Sequence, residues 1–271
     1  MNGKFQSIMR FYDKNSRRLV YLGQSATADD WDQKWLASDI KAQIMFSRNR
    51  FVVSVTRQFL HRGSNILEGG CGIGDKVHSL INAGFNAVGL DFAEQTVRSA
   101  AEAAPSLPLI AGDVRNLPFP DACFDGYWSL GVIEHFLNGY RETANEMRRV
   151  LKPSGYLFLT FPSMSAIRKL KAKLGIYSDL ELKQGWTQNF YQYALNPAEV
   201  GSFMNSLGLS LVLRRRFDAL NGMASELGFL SSMIRRLSAR TGFFYKAARK
   251  VIDVLFSRLF GHSSLLVFQK K

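Results

Sequence analysis

A glycine-rich loop that follows a short apolar run is the feature that most constrains how this chain can fold. Residues 66–74 have the sequence ILEGGCGIG, and a helical pattern begins at Asp75. Glycine is needed where a backbone approaches a ligand closely or adopts a positive φ angle. The free amides at the start of the following helix favour a negatively charged group. The pattern therefore predicts a strand, a tight turn and a helix that open an α/β sheet.

The rest of the chain alternates short apolar runs with helical patterns, which is typical of a parallel α/β sheet. The predicted strands are Ile66–Glu68, Ala87–Asp91, Leu109–Gly112, Phe124–Ser129, Tyr156–Phe161, Leu209–Leu213 and Leu265–Phe268. The predicted helices are Asp75–Ala83, Ala93–Ala104, Tyr140–Leu151 and Pro197–Leu207. The carboxyl ends of parallel strands share one edge of a sheet, and ligands of doubly wound folds bind there.

Acidic residues stand at three of these strand ends. Glu68 precedes the loop, where a carboxylate would repel a pyrophosphate but suits a cationic amino acid group. The loop glycines at 70, 72 and 74 also lack the final two-residue spacing of the dinucleotide fingerprint. Asp91 ends the second strand and can accept both hydrogen bonds of a ribose diol. Asp113 follows the third strand, where it can meet an adenine amino group.

The stretch from Ile66 to Phe161 resembles the class I S-adenosylmethionine-dependent methyltransferases, and within them the small-molecule branch of quinone and sterol methyltransferases. The motifs that carry the resemblance are Glu68–Gly74, Asp91-Phe92, Gly112-Asp113-Val114, Leu117-Pro118-Phe119, Phe124-Asp125, Leu130–His135 and Leu151–Gly155. The resemblance implies an α/β, Rossmann-like fold with a seven-stranded, mostly parallel sheet whose last strand is antiparallel. It also implies S-adenosyl-L-methionine as the cofactor.

The resemblance implies a role for each matching position. The methionine part of the cofactor would be held by Glu68, Gly69, Gly70 and Gly72. The ribose would be bound by Asp91 beside Phe92, the adenine by Asp113 with Val114, and the sulfonium side by the backbone near Ser129. The glycine pair at 69 and 70 departs from the family, in which a bulky residue often precedes the first loop glycine.

His135 is the candidate catalytic residue, because a neutral imidazole can remove a proton near neutral pH. The alternative is that Glu134 and His135 only cap or pack the region after the fourth strand. No metal site is expected, since the two cysteines, Cys71 and Cys123, cannot supply a four-ligand zinc site or a disulfide framework.

Two regions lie outside the alternating pattern, one at the start of the chain and one before the last strand. Residues 1–60 are aromatic-rich and are expected to form an N-terminal helical cap on a methyltransferase domain of residues 61–271. Within the cap, Trp31 and Trp35 share a helical face, and we favour packing of the leading helices over a lid on the cofactor. Tyr191 and Tyr193 fit an acceptor pocket or a half-buried strand equally well. Residues 218–262 are expected to be an inserted, basic helical segment before the last strand.

The positive charge is concentrated in the last part of the chain. Residues 1–160 carry 18 Lys and Arg against 16 Asp and Glu, whereas residues 161–271 carry 17 against 6. Residues 228–261 combine seven basic residues with apolar residues near helical spacing, which suits helices at an anionic membrane surface. The alternative is a helix that packs on the core with its charges in water. No run approaches the roughly 18 apolar residues of a membrane span, and residues 1–15 lack an apolar signal core. We therefore expect a cytoplasmic protein, peripheral at the inner face of a membrane.

These features favour methyl transfer to a small-molecule or lipid- or glycan-linked acceptor, with a hydroxyl as the preferred acceptor group. An RNA methyltransferase is a second hypothesis, favoured by the charge. Nucleic acid is the less favoured partner, because the chain lacks both a Pro-Cys nucleophile and the Asn/Asp-Pro-Pro-aromatic motif after the fourth strand. A third hypothesis is a cofactor-binding, non-catalytic partner subunit.

Overall fold

The computed structural model describes residues 8–23, 25–37, 39–239 and 242–271. Its strands are β1 Met9–Asp13, β2 Arg18–Leu22, β3 Asn65–Gly69, β4 Asn86–Asp91, β5 Leu109–Ala111, β6 Phe124–Leu130, β7 Leu151–Pro162, β8 Ser178–Asp179, β9 Phe190–Ala194, β10 Leu209–Phe217 and β11 Ser263–Lys270. Its α-helices are α1 Ala28–Leu36, α2 Ile40–Phe46, α3 Arg50–Thr56, α4 Asp75–Asn82, α5 Glu94–Ala103, α6 Arg141–Val150, α7 Ala166–Lys173, α8 Pro197–Ser206, α9 Ala219–Glu226, α10 Ser231–Ala239 and α11 Phe243–Phe260. No helix in this part of the chain is both long and apolar enough to cross a membrane.

The main sheet has seven strands in the order β10-β11-β7-β6-β3-β4-β5. The strands β3, β4, β5 and β6 pair in parallel, with Glu68 opposite Gly89 and Trp128, and Asp91 opposite Ala111. The final strands of the sheet are antiparallel. The expected Rossmann-like, mostly parallel architecture is confirmed, and the carboxyl ends of β3, β4 and β5 meet at one edge.

The central strands carry near-continuous apolar runs because both faces of the sheet are covered. In β6 the wholly buried Trp128 stacks on Phe158, with ring centroids 4.6 Å apart. Its indole Nε1 donates a hydrogen bond to Thr56 Oγ1 at 2.9 Å. Because an unpaired indole N–H would be costly in this core, the bond fixes α3 against the sheet.

The prediction of helices across residues 1–60 is wrong for part of that range. Met9–Asp13 and Arg18–Leu22 pair as an antiparallel hairpin, and aromatic and β-branched residues such as Phe11 and Val20 favour strands. With β8 and β9 they form a second sheet, in the order β8-β1-β2-β9. The strand β9 contains Tyr191 and Tyr193. Residues 1–7, 24 and 38 of the expected cap lie outside the described residues.

The chain divides into two compact units. The first, which we call the loop unit, comprises Ser25–Leu159, Ser202–Val212 and Val267–Lys271. The second, the insert unit, comprises the described residues of Met1–Gln24 together with Thr160–Gly201 and Leu213–Leu266. The expected boundary at residue 60 falls inside the loop unit, so the structure divides the chain differently from that prediction. Helices α9, α10 and α11 stand between β10 and β11 in the chain, and residues 240 and 241 between α10 and α11 are not described.

Candidate functional site

The glycine loop between β3 and α4 has a conformation that larger residues could not adopt. Gly70 and Gly72 have φ angles of 79° and 53°. A Cβ atom on Gly70 would lie 2.4 Å from a methyl carbon of Val132, and one on Gly72 would lie 2.9 Å from the indole of Trp35. Both contacts are closer than real Cβ atoms allow, so the loop requires glycine for its shape and for its close neighbours.

Asp91, at the end of β4, fixes the loop. Its Oδ2 accepts a hydrogen bond from the Gly72 amide at 2.7 Å, and its Oδ1 accepts one from the Ala93 amide at 2.9 Å. Burial raises the pKa of Asp91, while these two amide donors act in the opposite direction. The Gly72 amide is therefore engaged within the protein.

A cavity of about 480 Å³ opens at this edge of the sheet in the loop unit. It is lined by Ala26, Trp31, Lys34, Trp35, Gly70, Cys71, Gly72, Lys76, Asp91, Phe92, Gly112, Asp113, Val114, Arg115, Leu130, Gly131, Val132, His135 and Phe136. Most of the predicted cofactor residues, together with His135, are thus brought together. Trp31, Lys34, Trp35, Lys76, Arg115 and Phe136 were not among the predicted site residues.

Three predicted residues do not line the cavity. Gly69 packs against the Tyr127 hydroxyl instead, since a Cβ atom on Gly69 would lie 1.9 Å from that oxygen. Ser129 is wholly buried, and Leu130, next along the chain, lines the cavity instead. Glu68 is also buried, with a relative exposure of 1%.

Glu68 is a buried carboxyl group whose two oxygens have no hydrogen-bond partner among the described residues. Burial raises its pKa to about 8, although the nearby Lys76 ammonium opposes the rise. The Lys76 Nζ itself pairs with Asp75 Oδ1 at 2.7 Å. A buried acid without partners is costly, so a polar group that reached it from the cavity side would be bound favourably.

Asp113 is held by its neighbour Arg115. The guanidinium makes a two-pronged contact with the carboxylate at 2.6–3.0 Å, and the Arg115 amide donates to Oδ1 at 2.8 Å. The side-chain hydrogen bond from Arg115 lowers the pKa of Asp113. Asp113 is therefore an ionised acceptor at the cavity rim, already paired on one side.

Aromatic side chains of α1 form one wall of the cavity. The Lys34 Nζ lies 4.2 Å from the centroid of the Trp31 ring, and the His135 ring packs edge-on against Trp31 at 5.3 Å. The interpretation of Trp31 and Trp35 as packing residues of the leading helices was therefore incomplete, because both indoles line the cavity.

Asp32 positions this wall and was missed by sequence reasoning. Its buried Oδ1 accepts hydrogen bonds from the Thr96 amide at 2.7 Å and from the Thr96 hydroxyl at 2.6 Å. The acceptor serves the first turn of α5, whose preceding residue, Ala93, has no side chain that could cap it. The uncapped start of α5 is the signal that an acceptor from elsewhere was needed.

Among the described residues, no three His, Cys, Asp or Glu side chains lie close enough together to hold a metal ion. Burial raises the pKa of the Cys71 thiol well above its ordinary value, so the reactive thiolate is disfavoured.

Comparisons with known proteins match the region that contains the glycine loop to a protein family. Residues 67–159 match the family model described as "Methyltransferase domain". The 2-methyl-6-phytyl-1,4-hydroquinone methyltransferase of Synechocystis is 35% identical over 99 residues, which are 35% of this chain and 31% of that protein. A demethylmenaquinone methyltransferase of Staphylococcus epidermidis is 31% identical over 124 residues, 44% of this chain and 51% of its own length.

A solved structure from Pyrococcus horikoshii shares the fold. It aligns with a TM-score of 0.55 and 22% identity, covering 86% of this chain and 94% of that one. The chain spans only about a third to a half of the length of these two curated methyltransferases.

Proposed function

Because the chain contains a methyltransferase domain of the class I S-adenosylmethionine-dependent family, we propose that it transfers a methyl group from S-adenosylmethionine to a small-molecule acceptor. The observation that carries the proposal is the cavity at the ends of β3, β4 and β5. Its floor is the glycine loop, its edge carries Asp91 and Asp113, and one wall is aromatic.

The residues present fit the cofactor. Gly70 and Gly72 line the cavity and present backbone instead of side chains to it. Each Asp91 oxygen accepts one backbone amide and keeps a further lone pair, so the carboxylate can still receive a ribose diol. Glu68, at the end of β3, has two carboxyl oxygens without a hydrogen-bond partner among the described residues, and we assign them to the amino group of the methionine part. Asp113 and Val114 would bind the adenine.

S-adenosylmethionine, when bound, supplies a methyl group on a positively charged sulfur, which is already activated for displacement. The protein must then orient the acceptor and exclude water. The aromatic wall suits both tasks, because indole faces attract cations and exclude solvent, as the position of Lys34 over Trp31 illustrates.

We propose a hydroxyl group as the methyl acceptor, on a small molecule or on a lipid- or glycan-linked compound. Trp31, Trp35 and Phe136 give the cavity an apolar, aromatic character, and two relatives carry names that specify quinone-type substrates. His135 lies against Trp31 and would take the hydroxyl proton as general base. A location in the cytoplasm, at the inner face of a membrane, stays a prediction.

The general-base role can be tested with two histidine variants. His135→Gln should lower the transfer rate at least a hundredfold, by the range for general bases, without changing cofactor affinity. His78→Gln, at a partly exposed histidine of α4 that does not line the cavity, is the matched control and should leave both quantities unchanged. A transfer rate that is unchanged in His135→Gln would assign the proton transfer to another group.

Transfer itself is tested with methyl-labelled S-adenosylmethionine and a cell extract divided into lipid, soluble small-molecule, RNA and protein fractions. We expect protein-dependent label in the lipid or small-molecule fraction. Gly72→Val, which forces a side chain against Trp35, should abolish it. Gly139→Ala is the control, because Gly139 also has a positive φ angle but no neighbour within 4 Å. Label in the RNA fraction would support the alternative substrate, and cofactor binding without transfer to any fraction would support a non-catalytic subunit.

A further inference from the structure

One face of α11, the long helix of the insert, is apolar and exposed to solvent. Val254 is 72% exposed, Leu255 66% and Val251 56%, with Leu259 one turn further along. Residues separated by three and four positions lie on one side of a helix, so these four side chains form a continuous stripe. Monomeric proteins seldom leave such a stripe uncovered.

The opposite side of α11 is used to pack the helix on its own unit. The Asp253 carboxylate, on that side, accepts a hydrogen bond from the Ala219 amide of α9 at 2.7 Å. Near the end of the helix, the backbone carbonyl of Arg258 accepts one from the Arg216 guanidinium at 3.0 Å. The apolar stripe is therefore not the face that secures α11 to the fold, and its side chains are available for an external partner.

Basic side chains accompany the stripe. Lys250 and Arg258 are exposed at its two ends. Helix α7, which contacts α11, adds exposed Lys169 and Lys173 next to the exposed Leu170 and Leu174. Within 228–261 the single acidic residue is Asp253, which already accepts the Ala219 amide. The surface thus combines apolar side chains with a marked excess of positive charge.

We propose that this α11 face docks on an anionic phospholipid bilayer, with the stripe in the acyl boundary and Lys250 and Arg258 at the headgroups. Long basic side chains can bury their stems and keep their charges at a headgroup surface. A second copy of the chain is a poorer occupant, because two such faces would bring like charges together without a free carboxylate between them. This inference is independent of the proposed methyl transfer.

The surface differs from the basic set suggested by the sequence. That set contained Arg235, Arg236, Arg240, Lys246, Arg249, Lys250 and Arg258. Arg240 and the side chains of Arg235 and Lys246 lie outside the described residues. Arg249 donates to the Tyr245 carbonyl at 3.3 Å. The test therefore uses the stripe and its two flanking cations.

The experiment is co-sedimentation of the full chain with vesicles, without cofactor, at low and high salt. Vesicles of phosphatidylcholine alone are compared with vesicles that also contain phosphatidylglycerol. We expect binding to the anionic vesicles only, weakened by salt. Lys250→Gln with Arg258→Gln should weaken it about thirtyfold, since each basic residue contributes about a factor of five. The triple variant Val251→Ser, Val254→Ser, Leu255→Ser should weaken it at least tenfold.

Matched controls separate these effects from general changes in charge or apolarity. Phe46→Ser removes an 83% exposed aromatic residue from α2, and Lys41→Gln with Arg98→Gln removes two cations from the loop unit. Both should bind as the unmodified protein does, and thermal melting should show every variant folded. The proposal is overturned if the unmodified protein ignores anionic vesicles at low salt. It is also overturned if the serine variant binds normally, or if the stripe instead supports concentration-dependent dimers without vesicle binding.

Discussion

Replacing the buried Glu226 by glutamine should destabilise the insert unit in a manner that depends on pH. The Glu226 side chain is 0% exposed, and its Oε1 accepts from Arg10 Nη1 at 2.8 Å and Arg168 Nε at 3.0 Å. Its Oε2 accepts from the Tyr177 hydroxyl at 2.6 Å and Lys171 Nζ at 3.2 Å. Glutamine has nearly the same shape but leaves three cations facing one another without an anion.

The size of the effect follows from the carboxylate's environment. Burial alone would raise the pKa of Glu226, but the hydrogen bond from Tyr177 and the charges of Arg168 and Arg10 lower it from 4.5 to about 2. A difference of that size corresponds to about 3 kcal/mol in favour of the ionised form. Breaking a buried ion pair by removing one partner typically costs about 3–5 kcal/mol, which agrees.

The pH window follows from the sign of the shift. Because the folded-state pKa is lowered, the stabilisation is fully present above the ordinary value of 4.5 and is lost as the pH falls towards about 2. Urea unfolding of the unmodified protein and of Glu226→Gln should give unfolding free energies that differ by about 3 kcal/mol at neutral pH. This difference should disappear in the acidic range. Burial and the Arg168 charge lower the pKa of His262 from 6.5 to about 4. The unmodified protein and the variant therefore both lose further stability as the pH falls from 6.5 to 4.

An exposed carboxylate provides the control. Glu94 pairs with Arg98 on the surface of α5, with both side chains 70% exposed, so Glu94→Gln should change the unfolding free energy by less than about 0.5 kcal/mol. A loss of less than about 1 kcal/mol in unfolding free energy for Glu226→Gln at neutral pH would refute the assigned ion cluster. A gap of the same size at neutral and strongly acidic pH would refute the role of the charge.

Three further variants test the loop unit. Asp91→Ala leaves two buried amides unsatisfied and should cost about 2–5 kcal/mol in unfolding free energy. In a folded sample, calorimetry should show at least tenfold weaker S-adenosylmethionine binding, and equal affinity would move the ribose contact elsewhere. Gly70→Ala places a Cβ atom 2.4 Å from Val132 at a φ of 79° and should lower stability by about 1–3 kcal/mol. Adding Val132→Ala should restore the part of the lost stability that comes from the contact with Val132, but not the part that comes from the positive φ angle. Asp32→Ala removes the acceptor for Thr96 and should cost about 1–2 kcal/mol in urea unfolding, and no loss would mean that α5 does not depend on it.

Local sequence patterns were sufficient to predict the individual strands and the edge at which the candidate site lies, whereas their assembly into one seven-stranded sheet was implied by the resemblance to a known family. Strand periodicity, the glycine loop and the acidic strand ends are encoded within a few neighbouring residues. A parallel sheet brings its carboxyl ends together whatever the details of the packing. Gly70, Gly72, Asp91 and Asp113 therefore line one cavity, as expected. The hairpin β1–β2 was missed because its strands were taken together with the aromatic helices that follow.

Only the tertiary structure determines which polar groups already have a hydrogen-bond partner within the protein and which remain available to a ligand. Asp91 accepts a loop amide 19 positions away, and Asp32 serves Thr96 across 64 positions. Glu226 meets Arg10 across 216 positions. No local pattern encodes these contacts, because they arise when separate segments are packed together and their buried polar groups must find partners. The same holds for α11, since its periodicity predicts an apolar face, but packing against α9 decides which face remains in solvent.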